Sequence, residues 1–155
     1  MSLDVEITRD DLSDGRVISL LQEHRQEMLK HSPLDSVHAL DIAAMHALNL
    51  SFWSATISDS MAGCVGLKQL DSTHAELKSM KVSDAFVGKG VGRALLDHVL
   101  LQAKQLGCKR LSLETGSMRV FIPARSLYES VGFVLCSPFD GYVHDSNSVC
   151  MSLEI

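Results

Sequence analysis

Apolar and polar residues alternate through 3–9 (LDVEITR), and a period of two predicts a strand. From Val17 the spacing changes. Val17, Leu20, Leu21, His24 and Met28 share one face of a helix. A second, weaker helical pattern runs through Val37, Leu40, Ala44, Ala47 and Leu48. Two strands follow, over 49–58 and 62–70, and the short turn between them predicts a hairpin. The segment HAELKSMKV predicts a further strand over 74–82. Leu96, Val99, Leu100, Ala103 and Leu106 then fall on one helical stripe, which Gly107 closes. After a strand over 109–115, Ala124, Leu127, Tyr128 and Val131 recur at i, i+3, i+4 and i+7. Pro123 suits the first turn of that helix and Gly132 its end. Segments 133–139 and 148–155 supply the last two strands. The order is β-α-α-β-β-β-α-β-α-β-β. Its middle makes a parallel β-α-β crossover, and its hairpins are antiparallel. The expected class is α/β (α+β): a mixed, mainly antiparallel central sheet with flanking helices. With no repeat or linker, residues 1–155 read as one domain.

Composition narrows the function classes. Hydrophobic residues make up 46% of 155, enough for a core, and the formal net charge is -5. That charge argues against non-specific nucleic-acid binding, which needs clustered cations. No apolar run approaches the roughly 20 residues of a membrane span. The first residues are acidic and lack an apolar stretch of the signal-peptide kind, so the expected location is cytoplasmic. Cys64, Cys108, Cys136 and Cys150 form no C-x-x-C pair and sit among apolar neighbours, so they read as buried thiols. The seven histidines include no H-E-x-x-H and no cluster with cysteine, and no metal is expected.

Chemistry enters at VGKGVGRALL, where Gly88, Gly90 and Gly92 separate a strand from a helix. The first N–H groups of a helix lack internal partners, and the helix dipole places positive charge there. Glycines let that backbone close around phosphate oxygens. Lys89 and Arg93 add cations. The loop therefore reads as a phosphate cradle, with a ligand-free tight turn as the alternative. It lacks the Ser or Thr that follows Gly-Lys in a P-loop, and its glycine spacing does not fit a dinucleotide-binding fingerprint.

This loop, with the later LETGSMRVFIPARSLYESVGFVLCSPF, resembles the GCN5-related N-acetyltransferases over about residues 60 to 155. The first 50 residues match in element order. AELKSMKV and SLETGS resemble a bacterial subgroup acting on small molecules. The family's loop reads Arg/Gln-x-x-Gly-x-Gly/Ala; Gly90 and Gly92 match it, and Val87 stands in the Arg/Gln place. The resemblance implies acetyl-coenzyme A as co-substrate. Its pantetheine arm would pair with Met80, Lys81 and Val82 between two splayed strands. Its diphosphate would lie on the amides of Gly88, Lys89, Gly90, Val91, Gly92 and Arg93. In the family's N-x-x-A-x-x-[LF]-Y, Ala124, Leu127 and Tyr128 match, whereas Phe121 replaces the asparagine.

Acetyl transfer to an amine needs one group to take the ammonium proton and another to protonate the leaving thiolate. The resemblance puts Tyr128 in the acid's place; by pattern alone it is a core tyrosine. Glu76 is the candidate base, directly or through water, against a surface or ion-paired strand glutamate beside Lys78. Glu114 is the reserve. Cys136 has no histidine near it in sequence to activate it as a nucleophile. Trp53 reads as a core residue, and 140–148 as either an acceptor wall or an ordinary loop. The expected function is acetyl transfer to a small primary amine by direct attack on the thioester, with a homodimer as a possible assembly. Alternatives are a non-catalytic acyl-coenzyme A sensor on the same fold, a protein N-acetyltransferase, and a Rossmann- or flavodoxin-like nucleotide binder.

Overall fold

A computed structural model describes residues 4–31, 45–47 and 49–155. The elements are β1 (Glu6–Asp10), α1 (Arg16–His31), β2 (Leu50–Ile57), β3 (Ser60–Gln69), β4 (His74–Val82), α2 (Val91–Gln105), β5 (Arg110–Gly116), α3 (Ile122–Ser130), β6 (Val134–Cys136) and β7 (Ser148–Glu154). Short 3-10 turns at Asp84–Phe86 and Arg119–Phe121 lead into α2 and α3. Most of the second helix expected over 37–48 lies outside the described residues.

The strands form one sheet in the order β1-β2-β3-β4-β5-β7-β6. The β4–β5 pair is parallel and the other neighbours are antiparallel. Two ends differ from the sequence pattern. The β2–β3 turn is Ser58-Asp59, both at positive φ (50° and 65°), and β3 starts at Ser60. Positive φ at both central residues marks the type I′ turn, whose twist suits a two-residue hairpin. The strand expected over 133–139 contracts to Val134–Cys136.

Two apolar layers sandwich the sheet. On one face Val91, Leu95, Leu96 and Val99 of α2 pack with Tyr128 of α3 on Val65, Leu67, Leu77, Leu111 and Leu113. On the other, Val17, Leu20 and Leu21 of α1 meet Phe52 and Cys64. Each fully buried leucine contributes roughly 1.5–3 kcal/mol over exposure. Trp53 is in the first layer, edge-on to His98 at 5.1 Å, which fits its expected core role.

The alternation of β4 sorts its side chains. Ala75 and Leu77 face α2, so Glu76 faces the α1 side. Cys64 to Gly66 on β3 spans the same stretch as Lys81 to Lys78 on β4, so β4 carries one extra residue. Ser79 adopts φ 55° in this bulge. A bulge re-aims the residues beyond it. Met80 and Val82 consequently pack toward the α2 layer, while Lys81 lies opposite Cys64 on the α1 side.

Candidate active site

Parallel pairing between β4 and β5 runs from His74–Arg110 to Glu76–Ser112 and then stops. Beyond Glu76 the two strands diverge. The gap opens into a cleft of about 580 Å³, walled by the end of β4, the glycine loop, α2 and α3. That size lies within the ordinary range for small-molecule sites.

The glycine loop forms one end of the cleft. Gly88 and Gly90 adopt φ +80° and +85°, and nothing lies within 4 Å of a Cβ built on either. Gly90 is the N-cap of α2 and supplies no side chain to its orphan amides. The first helical bond runs from the Ala94 N–H to the Gly90 carbonyl. The N–H groups of Val91, Gly92 and Arg93 are therefore left over by helix geometry, at the positive end of a 15-residue helix. A Cβ on Gly92 would meet Leu127 Cδ2 at 3.3 Å, so α3 packs tightly there. Arg93 lines the cleft and pairs with Asp97 at 3.0 Å. Lys89 is exposed and stands outside the cleft wall. These features fit a diphosphate.

The other expected residues divide between the cleft and its apex. Met80, Lys81, Val82, Val87, Ala124, Leu127 and Tyr128 line the cleft. Val87, 65% exposed, brings no charge to the rim. Phe121 also lines the cleft, and its ring covers Gly116 so closely that any Cβ there would clash. Arg125 holds this turn, its Nη1 donating to the Gly116 and Met118 carbonyls at 2.6 and 3.1 Å. Tyr128 is 5% exposed and rests on Phe133. Burial raises its pKa well above the ordinary phenol range, so it stays protonated.

Glu76 sits at the apex of the splay, 2% exposed, and is not among the residues that line the cleft. Tyr142 donates its hydroxyl to Glu76 Oε2 at 2.6 Å, and Lys78 Nζ lies 3.8 Å from the same oxygen. Oε1 is buried with no hydrogen-bond partner among the described residues. Burial raises the Glu76 pKa, against the Tyr142 bond and the charges of Lys78 and Lys68. Glu114 lies two residues along β5 from Ser112, on the same sheet face. Burial first, then the Glu76 and Asp145 carboxylates, push it up to about 7.

Two residues here were not singled out as site residues from sequence. In the sequence pattern His24 counts only toward an apolar helical face. It lines the cleft, and burial, reinforced by the Lys81 charge, lowers its pKa to about 4, so the ring is neutral. Tyr142 belongs to the loop left open above. The usable signal was Asp140-Gly141, a dipeptide that favours a reversal at positive φ.

Comparison with known proteins matches this architecture. The model of the acetyltransferase (GNAT) family matches residues 16–133. The N-acetyltransferase YsnE of Bacillus subtilis, itself uncharacterised, is 46% identical over 151 residues, covering 97% of this chain and all of YsnE. YedL of Escherichia coli, likewise an uncharacterised N-acetyltransferase, is 38% identical over 149 residues, 96% of this chain and 94% of its own. A GNAT acetyltransferase from Elizabethkingia anophelis, solved with acetyl-coenzyme A bound, superposes with a TM-score of 0.72 at 19% identity, covering 97% and 98% of the two chains. With the splayed sheet and the glycine-led helix in place, the family match over most of the chain places this protein in the GNAT acetyltransferase family, as an N-acetyltransferase.

Proposed function

We propose that the protein moves the acetyl group of acetyl-coenzyme A to a small primary amine by direct attack of the amine nitrogen on the thioester. One observation carries this reading: the uncapped, glycine-led start of α2 opens onto the gap that begins where β4 and β5 stop pairing at Glu76. The α2 amides would hold the diphosphate. The backbone of Met80–Val82 would meet the pantetheine arm, which runs toward the apex.

The residues then divide the proton work. Glu76 takes the ammonium proton, which frees the nitrogen lone pair; burial makes it a stronger base than an exposed glutamate. The nitrogen bonds to the acyl carbon, the carbon–sulfur bond breaks, and the nitrogen sheds its second proton to solvent as the neutral amide forms. Tyr128, held protonated, donates to the sulfur as its charge develops and regains a proton from solvent. A compact cleft suits a small acceptor better than a polypeptide. Val87 and Phe121, which replace the family's usual side chains, favour a second reading, in which the cleft binds acyl-coenzyme A without turnover.

The test is release of coenzyme A thiol from acetyl-coenzyme A, with a panel of primary amines and lysine-containing peptides. Amine-dependent release supports the reading. Efficient peptide acetylation with no small amine accepted refutes the acceptor class. Tight binding without release under any acceptor supports the sensor.

A further inference from the structure

The structure points to a second residue that governs the candidate base, supplied from 66 positions farther along the chain. We propose that Tyr142 is a positioning residue for the transfer: its hydroxyl fixes the Glu76 carboxylate and stabilises its charge, so that Glu76 is ready to accept the acceptor's proton. This deepens the proposed function and rests on Glu76 being the base.

The geometry is specific. Glu76 Oε2 receives the Tyr142 hydroxyl at 2.6 Å, a length typical of a charge-assisted bond. That bond leaves Oε1, buried and without a partner among the described residues, as the oxygen that would take the acceptor's proton, directly or through a water. Tyr142 is aimed there by a tight turn. Its N–H donates to the Phe139 carbonyl at 2.9 Å, and the residues between, Asp140 and Gly141, adopt φ 46° and 82°. This is the φ pattern of a type I′ turn.

The turn is pinned on several sides. Lys68 on β3 pairs with Asp140 at 3.3 Å. The Phe139 ring packs at a tilt against His74, at 5.7 Å, and edge-on against Tyr142, at 5.2 Å. Farther along the loop, Ser117 Oγ donates to the Ser146 carbonyl at 2.7 Å. A phenol held this way loses little rotamer freedom when it makes its bond.

The electrostatics agree. Facing Glu76 are Tyr142, Lys78, Lys68 and Asp140, with Glu114 beyond. Facing Glu114 are Glu76, Asp145, Lys78 and Ser148. The Tyr142 bond lowers the Glu76 pKa against its burial, while the Glu76 charge raises that of Glu114. The phenol itself is raised by burial and by Glu76, so it remains a donor. Tyr142 thus favours the charge on Glu76.

The experiment has two arms, both using Tyr142→Phe, which keeps the ring against Phe139. The first titrates the glutamate side-chain carboxyls of the ligand-free protein by 13C NMR, with assignment from Glu76→Gln and Glu114→Gln. The Glu76 midpoint should move to higher pH in Tyr142→Phe; an unmoved midpoint overturns the proposal. The second compares turnover. A lost bond to a charged group predicts a fall of about 10- to 100-fold in kcat/KM for the amine, at unchanged affinity for acetyl-coenzyme A. The acid limb of the pH profile should shift upward. A moved midpoint with wild-type kcat/KM also overturns the proposal. Absence of turnover with every amine in the wild type would instead refute the proposed function, and the NMR arm would still report whether Tyr142 sets the charge on Glu76.

Discussion

Replacing Gly90 with aspartate separates the backbone cradle from the general stability of α2. Gly90 sits at φ +85° with open space around a Cβ, so the cost to folding is mainly conformational. A left-handed residue costs roughly 1–2 kcal/mol without glycine, and aspartate tolerates that region better than most. As an N-cap, aspartate also returns part of that cost. The fold should survive. The ligand should not bind, because the carboxylate would sit among the Val91–Arg93 amides. Against a phosphate charge about 4 Å away, repulsion is about 1 kcal/mol in water and about 4 at an effective dielectric of 20. A 100-fold weaker Kd falls inside that range. At acetyl-coenzyme A one hundred times the wild-type Kd, binding adds about 2.7 kcal/mol to wild type but only about 0.4 to such a variant. For a domain of this size those values correspond to Tm rises of roughly 5–10 °C and about 1 °C. Gly107→Asp is the matched control, since Gly107 follows the other end of α2 at φ +86° with equally open space. It should lose stability yet keep the full ligand-induced rise. Equal rises in Gly90→Asp and Gly107→Asp would refute the cradle.

Tyr128→Phe should lower kcat by about 10²–10⁴ with little change in Kd for acetyl-coenzyme A, measured by initial rates and calorimetry; unchanged kcat with chemistry rate-limiting returns Tyr128 to a packing role. Glu76→Gln should abolish the acid limb of kcat/KM for the acceptor, and a limb that instead follows the pKa of two different amines belongs to the substrate. Glu114, raised to about 7 from an ordinary 4.5, makes the fold less stable as pH climbs through that interval, because ionising it in place is costly. Glu114→Gln should therefore stabilise the protein more at pH 8 than at pH 4.5, by about 1–2 kcal/mol after allowance for partial solvent exposure, read from denaturant midpoints.

Local signals carried much of the fold. Leu96 to Leu106 and Ala124 to Val131 wrote their helices in plain periodicity, and the glycines marked where α2 begins. The bulge at Ser79 was not legible, because HAELKSMKV alternates smoothly and the extra residue shows only against β3. Its effect is large: it turns Met80 and Val82 toward the α2 layer and leaves Lys81 beside His24. Glu76 was legible as a strand carboxylate, but its burial shows only in the fold, where it lies between β3 and β5 and receives the Tyr142 hydroxyl. Tyr142 lies 66 positions away, and only the turn at Asp140-Gly141 brings it there. Phe121 showed as a departure from the family pattern; that its ring fills the space over Gly116 required the fold.

The measurement closest to the central claim is amide hydrogen exchange with and without acetyl-coenzyme A. The ligand should lie in the gap that opens beyond Glu76, with its diphosphate on the start of α2. The amides of Val91, Gly92 and Arg93, which the helix leaves unbonded, should exchange fast in the free protein and slow markedly on binding. Residues Met80–Val82 should slow with them, while the β1 edge and the β6 edge should not respond. Protection confined to other segments, or none at a concentration that raises the Tm, would contradict the account.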